Sequence, residues 1–514
     1  MKLKLFNQVY FQIYGIEFDQ SKELSNYMTT FAKNYKFHPK FKQGIWSGKI
    51  SFYDHALQIF PIGLLSVFIK FCEDFQYEYS FGFNPQSILY DNTLKNKELN
   101  SFYKEIFNNV KMDGKPLELR YYQKEAIENI LKNKKCTIES ATGSGKSLLI
   151  YTTIRYIKNR CDIEVENYNK SLVKKNKILL VVPNVSLVEQ MYSDFKSYGY
   201  TNIEKDVDVL YNGKQLSNKQ ILISTWQSIH KKSGDFFEQF YAILVDEVHG
   251  LGSSASIQKI VKKCINSHYR VGFTGTLPNE EIDQYNIFGY LGPCVYRLNS
   301  STLIDKGILS KILIVNLILQ YPKEVKDVLK KKKYDEEVSF IATHQERNKV
   351  FDYILSKQKE PKNTLILCTR IFHLKDIVKY LENKYSHKYK ILTIHGSVGV
   401  ERREKIRKLM EKRNDILLVA TYATLSTGIN IRNLHHVVFA SSYKSKIKVL
   451  QSIGRGLRSN KNKNKMVLWD IVDDFTYIKR TKKRFLNYTF KHWLLRLKYY
   501  KDQKFKYVNK KINI

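Results

Sequence analysis

Two acids, Asp246 and Glu247, stand directly after the apolar run "YAILV" in a chain whose formal charge is +37. Such a pair at the end of a buried strand is either an incidental polar strand end or a place for something that needs negative charge. A metal ion, or a water about to lose its proton, would qualify. A second stretch, "ESATGSGKSLLI", decides between these readings. Gly143 and Gly145 let the backbone curl so that N–H groups around Thr142 and Ser144 point inward at a phosphate, and the helix that follows adds its partial positive charge. Lys146 supplies a full charge for the terminal phosphates, and the Ser147 hydroxyl can ligate Mg²⁺. The leading glycine of the general phosphate-loop pattern is Ser140 in this chain. A phosphate loop needs an acidic partner on a neighbouring strand end. Asp246 is then placed to hold the metal, and Glu247 to orient and deprotonate the attacking water.

The elements around these residues follow from the apolar rhythm. "KCTIES", "KILLVVP", "QILISTW", "YAILVDE" and "YRVGFTGT" are short apolar runs, most of them separated by helix-like stretches, the signature of parallel strands buried on both faces. The rhythm restarts with "TLILCTR", "KILTIHG", "DILLVAT", "HHVVFAS" and "KMVLWDI". The expected fold class is therefore α/β, with two parallel-sheet domains in series at residues 116–300 and 301–474. Before them, residues 1–83 alternate as a small α+β unit, and 84–115 reads as a polar linker. Residues 475–514 form a basic tail expected to be helical.

Composition narrows the partner. The tail holds 13 Lys or Arg against one acid, Asp502, so the excess charge is concentrated, and a nucleic acid is the natural polyanion to meet it. No run reaches the roughly 18 apolar residues of a membrane span, so no membrane partner is expected. The alternating N-terminus is not read as a signal peptide. Six cysteines without a C-x-x-C pair suit a reducing compartment and no structural zinc. The expected location is cytoplasmic.

Phosphate loop, "DEVH" and "QSIGRGLRS", in that order and spacing, resemble the motif series of superfamily 2 helicases. The resemblance implies two RecA-like domains that hydrolyse ATP with Mg²⁺. It makes Gln123 of "LRYYQKEAI" the adenine reader, and Thr225 of "STWQS" and Thr421 of "ATYATLSTGIN" nucleic-acid contacts, with Gly428 near the nucleotide. "GFTGT" falls in the slot of the coupling motif. Arg455 and Arg458, three apart on one helix face, resemble the arginines that reach the γ-phosphate, a contribution worth roughly 10³ to 10⁵ in rate. "FHPKFKQGIWSGKISFYD" and "DQKFKYVNKKINI" further resemble the UvsW group of phage helicases. That group implies ATP-driven remodelling of forks, junctions and R-loops, with branched or duplex DNA, or an RNA–DNA hybrid, as partner and a monomer as the acting form. An RNA helicase, a restriction-type translocase motor and a strand-annealing protein with a secondary ATPase are the alternatives.

Outside the motor, Lys40, Lys42, Trp46 and Lys49 mix cations with an indole in a glycine-punctuated loop, which could grip phosphates and stack on a base; a core tryptophan beside surface lysines is the competing reading. In the tail, Leu486, Phe490, Trp493, Leu497 and Tyr500 recur at helical spacing, as a face packed on the motor would.

Overall fold

A computed structural model describes residues 1–514 except 92–93, 113–114, 169–175, 212–213, 331, 426–430, 458–462, 464 and 479–483. The chain forms two compact units, one of Met1–Ser140 and Ser144–Arg297, the other of Leu298–Ile514 with Ala141–Gly143.

The first unit opens with a four-stranded sheet in the order Ile59–Pro61, Tyr10–Tyr14, Lys2–Leu5, Ser80–Phe81. Alternation in "KLKL" and "YFQIY" sends Leu3, Phe11 and Ile13 into a core closed by Leu24, Phe68 and Phe71 of two helices. A lobe stands off this core: the hairpin Thr29–Phe31 with Lys49–Ser51, and the four-residue helix Pro39–Lys42 between its strands.

The motor sheet of this unit runs Val207–Leu210, Ile221–Thr225, Lys177–Val182, Phe240–Asp246, Tyr269–Thr274, Lys135–Ser140, Cys294–Leu298, and its first six strands pair in parallel. The phosphate loop and the paired acids therefore leave the carboxyl ends of strands that share one neighbour, Tyr269–Thr274. This is where ligands sit in open α/β sheets.

Two expectations change here. Residues 84–115 are not a plain linker. The helix Asn96–Ile106 buries Leu99, Phe102, Tyr103 and Ile106 in the motor core, with Phe102 edge-on to Tyr156 at 5.6 Å. Its apolar residues recur at helical spacing inside a polar composition, and packing decides what composition hides. Nor does the N-terminal unit stand apart. Val9 belongs to the motor's own core, Gln8 N donates to Ile265 O at 2.9 Å, and Phe52 meets Tyr285 at 5.3 Å.

The second unit is a seven-stranded, all-parallel sheet in the order Lys390–Ile394, Ile416–Thr421, Thr364–Cys368, His436–Phe439, Lys465–Asp474, Lys311–Gln320, Lys506–Asn513. The tail is thus only partly helical. Its helix Tyr488–Asp502 packs Phe490 and Trp493, with Leu486 and Leu497 alongside, on Ile318 and Val472, as its spacing predicts. The last residues then add an edge strand, whose lysines guard an open edge against further pairing. Two fully buried ion pairs fasten these layers: Arg496 to Asp470 at 2.7 Å and Arg347 to Asp473 at 2.7 Å. Glu337 caps the tail helix from another element, accepting from Thr489 N at 2.8 Å and Tyr488 N at 3.0 Å. Among the described residues no helix is long and apolar enough to cross a membrane.

Candidate active site

The strand Lys135–Ser140 ends in the phosphate loop, and the helix Lys146–Tyr168 begins on the other side of it. Gly143 and Gly145 sit at φ +88° and +91°, in the region open to glycine. A Cβ at Gly145 would lie 2.4 Å from Gln123 Nε2, so this position also needs glycine for space. Gln123 is buried, donates to Ser144 O at 2.9 Å and accepts from Arg120 N at 2.9 Å. The residue expected to read adenine is therefore tied to the loop backbone and sets its shape. Ser140 Oγ donates to Ser144 Oγ at 2.7 Å, so the serine in the leading-glycine position braces the loop from within.

Lys146 Nζ reaches both acids, 3.0 Å from Glu247 Oε1 and 3.9 Å from Asp246 Oδ1. Asp246 ends its strand almost fully buried, and that burial pushes its carboxyl up to about 6, with Lys146 opposing and the charge of Glu247 adding to the rise. Burial pushes Glu247 the same way, yet Lys146 and His249 together outweigh it and hold the carboxyl well below the ordinary carboxylate range. Glu247 also has φ +50°, a left-handed backbone that costs a branched-free residue of order 1 kcal/mol or more and clusters at functional positions. The turn is held by Glu247 N donating to Asp246 Oδ1 at 2.9 Å and Val248 N donating to Phe273 O at 2.9 Å. His249 Nδ1 stands 3.2 Å from Glu247 Oε2 and 3.2 Å from Thr274 Oγ1, linking the acids to the "GFTGT" loop.

Ser147 Oγ and the buried Asp246 carboxylate would offer an all-oxygen donor set with one charge, which suits Mg²⁺, an ion held by one or two carboxylates plus phosphate oxygens. Ser147 Oγ is meanwhile fixed by Tyr198 OH at 2.7 Å, a partner that no motif spacing announces. Glu139 was likewise missed from sequence. It accepts from Leu277 N at 3.0 Å and so joins the strand before the phosphate loop to the residue after "TGT".

The remaining expected residues fall out as follows. Arg455 lies half-buried on the helix Lys446–Leu457, while Arg458 and Gly428 lie outside the described residues. Thr225 and Thr421 occupy matching positions in the two motor sheets, each ending a strand and each bonded to a hydroxyl three residues on: Ser228 at 2.9 Å, Thr424 at 2.7 Å. Both are buried, so these hydroxyls shape their turns and are not surface groups. On the lobe, Lys40, Lys42 and Lys49 are exposed, whereas Trp46 is half-buried. Its indole donates to Lys49 O at 2.9 Å and packs edge-on to His38 at 5.0 Å. The most exposed apolar groups of the lobe are instead Phe37, 75% exposed, and Ile45, 71% exposed, with Phe31 and Ile50 of the hairpin also exposed. Their sequence signal was apolar residues set in a lysine-rich segment that carries no acid from 29 to 53.

A phosphate loop with its lysine on paired acids, in the first of two parallel sheets of RecA-like form, is the arrangement of a nucleotide-driven motor, and the family matches place it in superfamily 2. Three family profiles match: DNA helicase UvsW, N-terminal, over residues 2–82; Type III restriction enzyme, res subunit, over 116–279; and Helicase conserved C-terminal domain over 346–460. The ATP-dependent DNA helicase uvsW of Enterobacteria phage T4 is 31% identical over 96% of this chain and 95% of its own length. The chain belongs to the UvsW family of ATP-dependent DNA helicases. The crystal structure of T4 UvsW matches at 30% identity with a TM-score of 0.50, covering 100% of this chain and 99% of that one. The DNA 3'-5' translocase XPB2 of Sulfurisphaera tokodaii is 24% identical over 72% of this chain and 84% of its own. An HsdR fragment of a type I restriction enzyme from Vibrio vulnificus YJ016 shares the fold, at 17% identity and a TM-score of 0.57 over 82% of this chain and 72% of that one.

Proposed function

We propose that the chain is a monomeric motor in the host cytoplasm that uses ATP and Mg²⁺ to remodel branched DNA: forks, junctions and R-loops. The observation that carries the reading is the lobe at residues 29–51. Its exposed lysines and exposed Phe37 and Ile45 are built onto a motor that, to track a strand, needs no such surface. Cations would take phosphates, and the apolar side chains would meet bases where the duplex opens.

In the nucleotide chemistry Mg²⁺, when bound, would neutralise phosphate charge and be held by Ser147 and Asp246. Glu247 takes the proton of the attacking water. Lys146 leaves Glu247 for the phosphates, and losing that cation raises the basicity of Glu247 as substrate arrives. Arg455 and Arg458 supply charge to the transition state.

The test is ATPase stimulation by forked, four-way, duplex and single-stranded DNA, with RNA as comparison, alongside fork regression with and without ATP. Preferential stimulation by branched DNA is expected. Equal stimulation by RNA, or annealing that needs no ATP, would overturn the reading.

A further inference from the structure

One helix of the first unit touches both the lobe and the short helix that follows the paired acids. Glu281–Leu291 begins five residues after "TGT", and its first turn is acidic. Glu281 Oε2 accepts from Thr30 Oγ1 at 2.7 Å, and Asp283 Oδ2 pairs with Lys33 Nζ at 3.1 Å. Thr30 is in the hairpin strand that pairs with Ile50 beside Lys49, so the contact is made at the hairpin from which the helix bearing Lys40 and Lys42 extends. Asp283 is buried, and its far side rests on Gly252 of the helix His249–Ser253. A Cβ at Gly252 would lie 2.7 Å from Asp283 Cβ and 3.0 Å from its Cα. Asn286 Nδ2 adds a bond to Gly252 O at 3.2 Å. The helix His249–Ser253 starts two residues after Glu247, and its first residue lies against Glu247 Oε2. From lobe to catalytic base the path is Lys33, Asp283, Gly252, His249, with no gap.

We propose that Lys33 and Thr30 are positioning residues for the DNA-stimulated rate of ATP hydrolysis. By seating the helix Glu281–Leu291 against the helix that carries His249, they make the set of the Glu247 carboxylate depend on what the lobe grips. The inference rests on the reading of the lobe as a DNA-binding surface. It goes further in naming a route from that surface to the base that stays within the first unit. Packed elements with two discrete arrangements are the physical means by which such coupling travels.

The experiment uses the full chain and a forked oligonucleotide. Lys33→Ala should keep DNA-free turnover within about twofold, as expected for a half-exposed side chain. Its kcat at saturating fork should fall by about fivefold or more, the lower end of coupling between sites, with KM for ATP and the anisotropy Kd for the fork unchanged. Lys33→Arg should restore the stimulated kcat, because a guanidinium can still meet the buried carboxylate, and Asp283→Asn should reproduce the loss. Gly252→Ala, which crowds Asp283 from the other side, should also lower stimulated kcat, and a melting curve shows whether it folds. If Lys33→Ala retains full kcat at saturating fork, with or without weaker binding, the route is wrong. The lobe reading is judged separately. Lys40, Lys42 and Lys49 changed together to Ala should weaken fork binding, and unchanged binding would remove that reading whatever Lys33 does.

Discussion

Lys146 Nζ lies 3.0 Å from Glu247 Oε1, so the cation proposed to bind phosphate and the proposed catalytic base are partners in one partly buried ion pair. A lysine cannot hold this carboxylate and a triphosphate equally well at once. Glu247→Gln frees the lysine and should tighten nucleotide binding by ~1 kcal/mol, about fivefold, while turnover nearly stops for want of a base. Titration with a fluorescent ATP analogue checks this; weaker binding in the variant would refute the exchange. Lys146→Ala should lose hydrolysis and keep DNA affinity, which comes from dispersed cations.

Asp246→Asn should behave differently from Glu247→Gln. The variant removes the one negative charge of the proposed Ser147–Asp246 donor set, so the Mg²⁺ concentration for half-maximal ATPase should rise by tenfold or more, of the size lost when a metal's supporting carboxylate goes. A Mg²⁺ titration of both variants separates the roles, and identical curves would count against the division.

Arg455→Ala and Arg458→Ala should lower kcat by roughly 10³-fold or more with nucleotide affinity little changed, since such arginines act on charge that develops in the transition state. Single-turnover hydrolysis with measured ATP Kd is the check. A matching rise in Kd would mean ordinary ground-state binding.

Removal of residues 1–83 should not leave an intact motor. The segment supplies Val9 to the motor core and covers Gly63 against Phe288 O, where even a Cβ would lie 1.9 Å away. Losing the Val9 side chain alone costs about 1.5–3 kcal/mol, and Phe52 and Ile62 go with it. Thermal melting and dye binding of the truncated chain should show a lowered Tm and exposed apolar surface. Point changes on the lobe are therefore the sounder probe of its DNA role.

Acid should weaken the second unit between about pH 6.5 and 3. Burial, then the charge of Arg347, lowers the His373 imidazole to about 3, and burial, then His435 and Lys362, lowers His436 to about 4. Both folded values lie below the unfolded one, so the native state favours the neutral ring. Its stabilisation is full above about 6.5 and falls by about 1.4 kcal/mol per pH unit per histidine as pH drops toward the folded value. His436 Nδ1 accepts from Trp469 Nε1 at 3.1 Å, a bond that a protonated nitrogen cannot accept. His436→Asn, whose amide oxygen can take that bond, should flatten the pH dependence of urea unfolding. A slope equal to the parent's would refute this account.

Local residue type and spacing were enough to set the expected chemistry. Glycines at 143 and 145, Lys146 and Ser147 after one strand and two acids after another define phosphate and water handling, because those roles depend on short-range backbone geometry and charge. The ten strands expected in the two motor domains also follow from sequence, since most are buried on both faces and such a strand must be a continuous apolar run. Only the tertiary structure decided what the mixed segments do. "ELNSFYKEIF" is a core helix, "KYVNKKIN" is an edge strand, and Trp46 is half-buried while Ile45 is exposed. It also decided that Lys146 rests on Glu247, that Tyr198 fixes Ser147, and that Lys33 meets Asp283 from 250 residues away. Periodicity in a window reports only which face of an element is apolar. Which distant element covers that face, and which cation meets which acid, depends on how all the layers fit together.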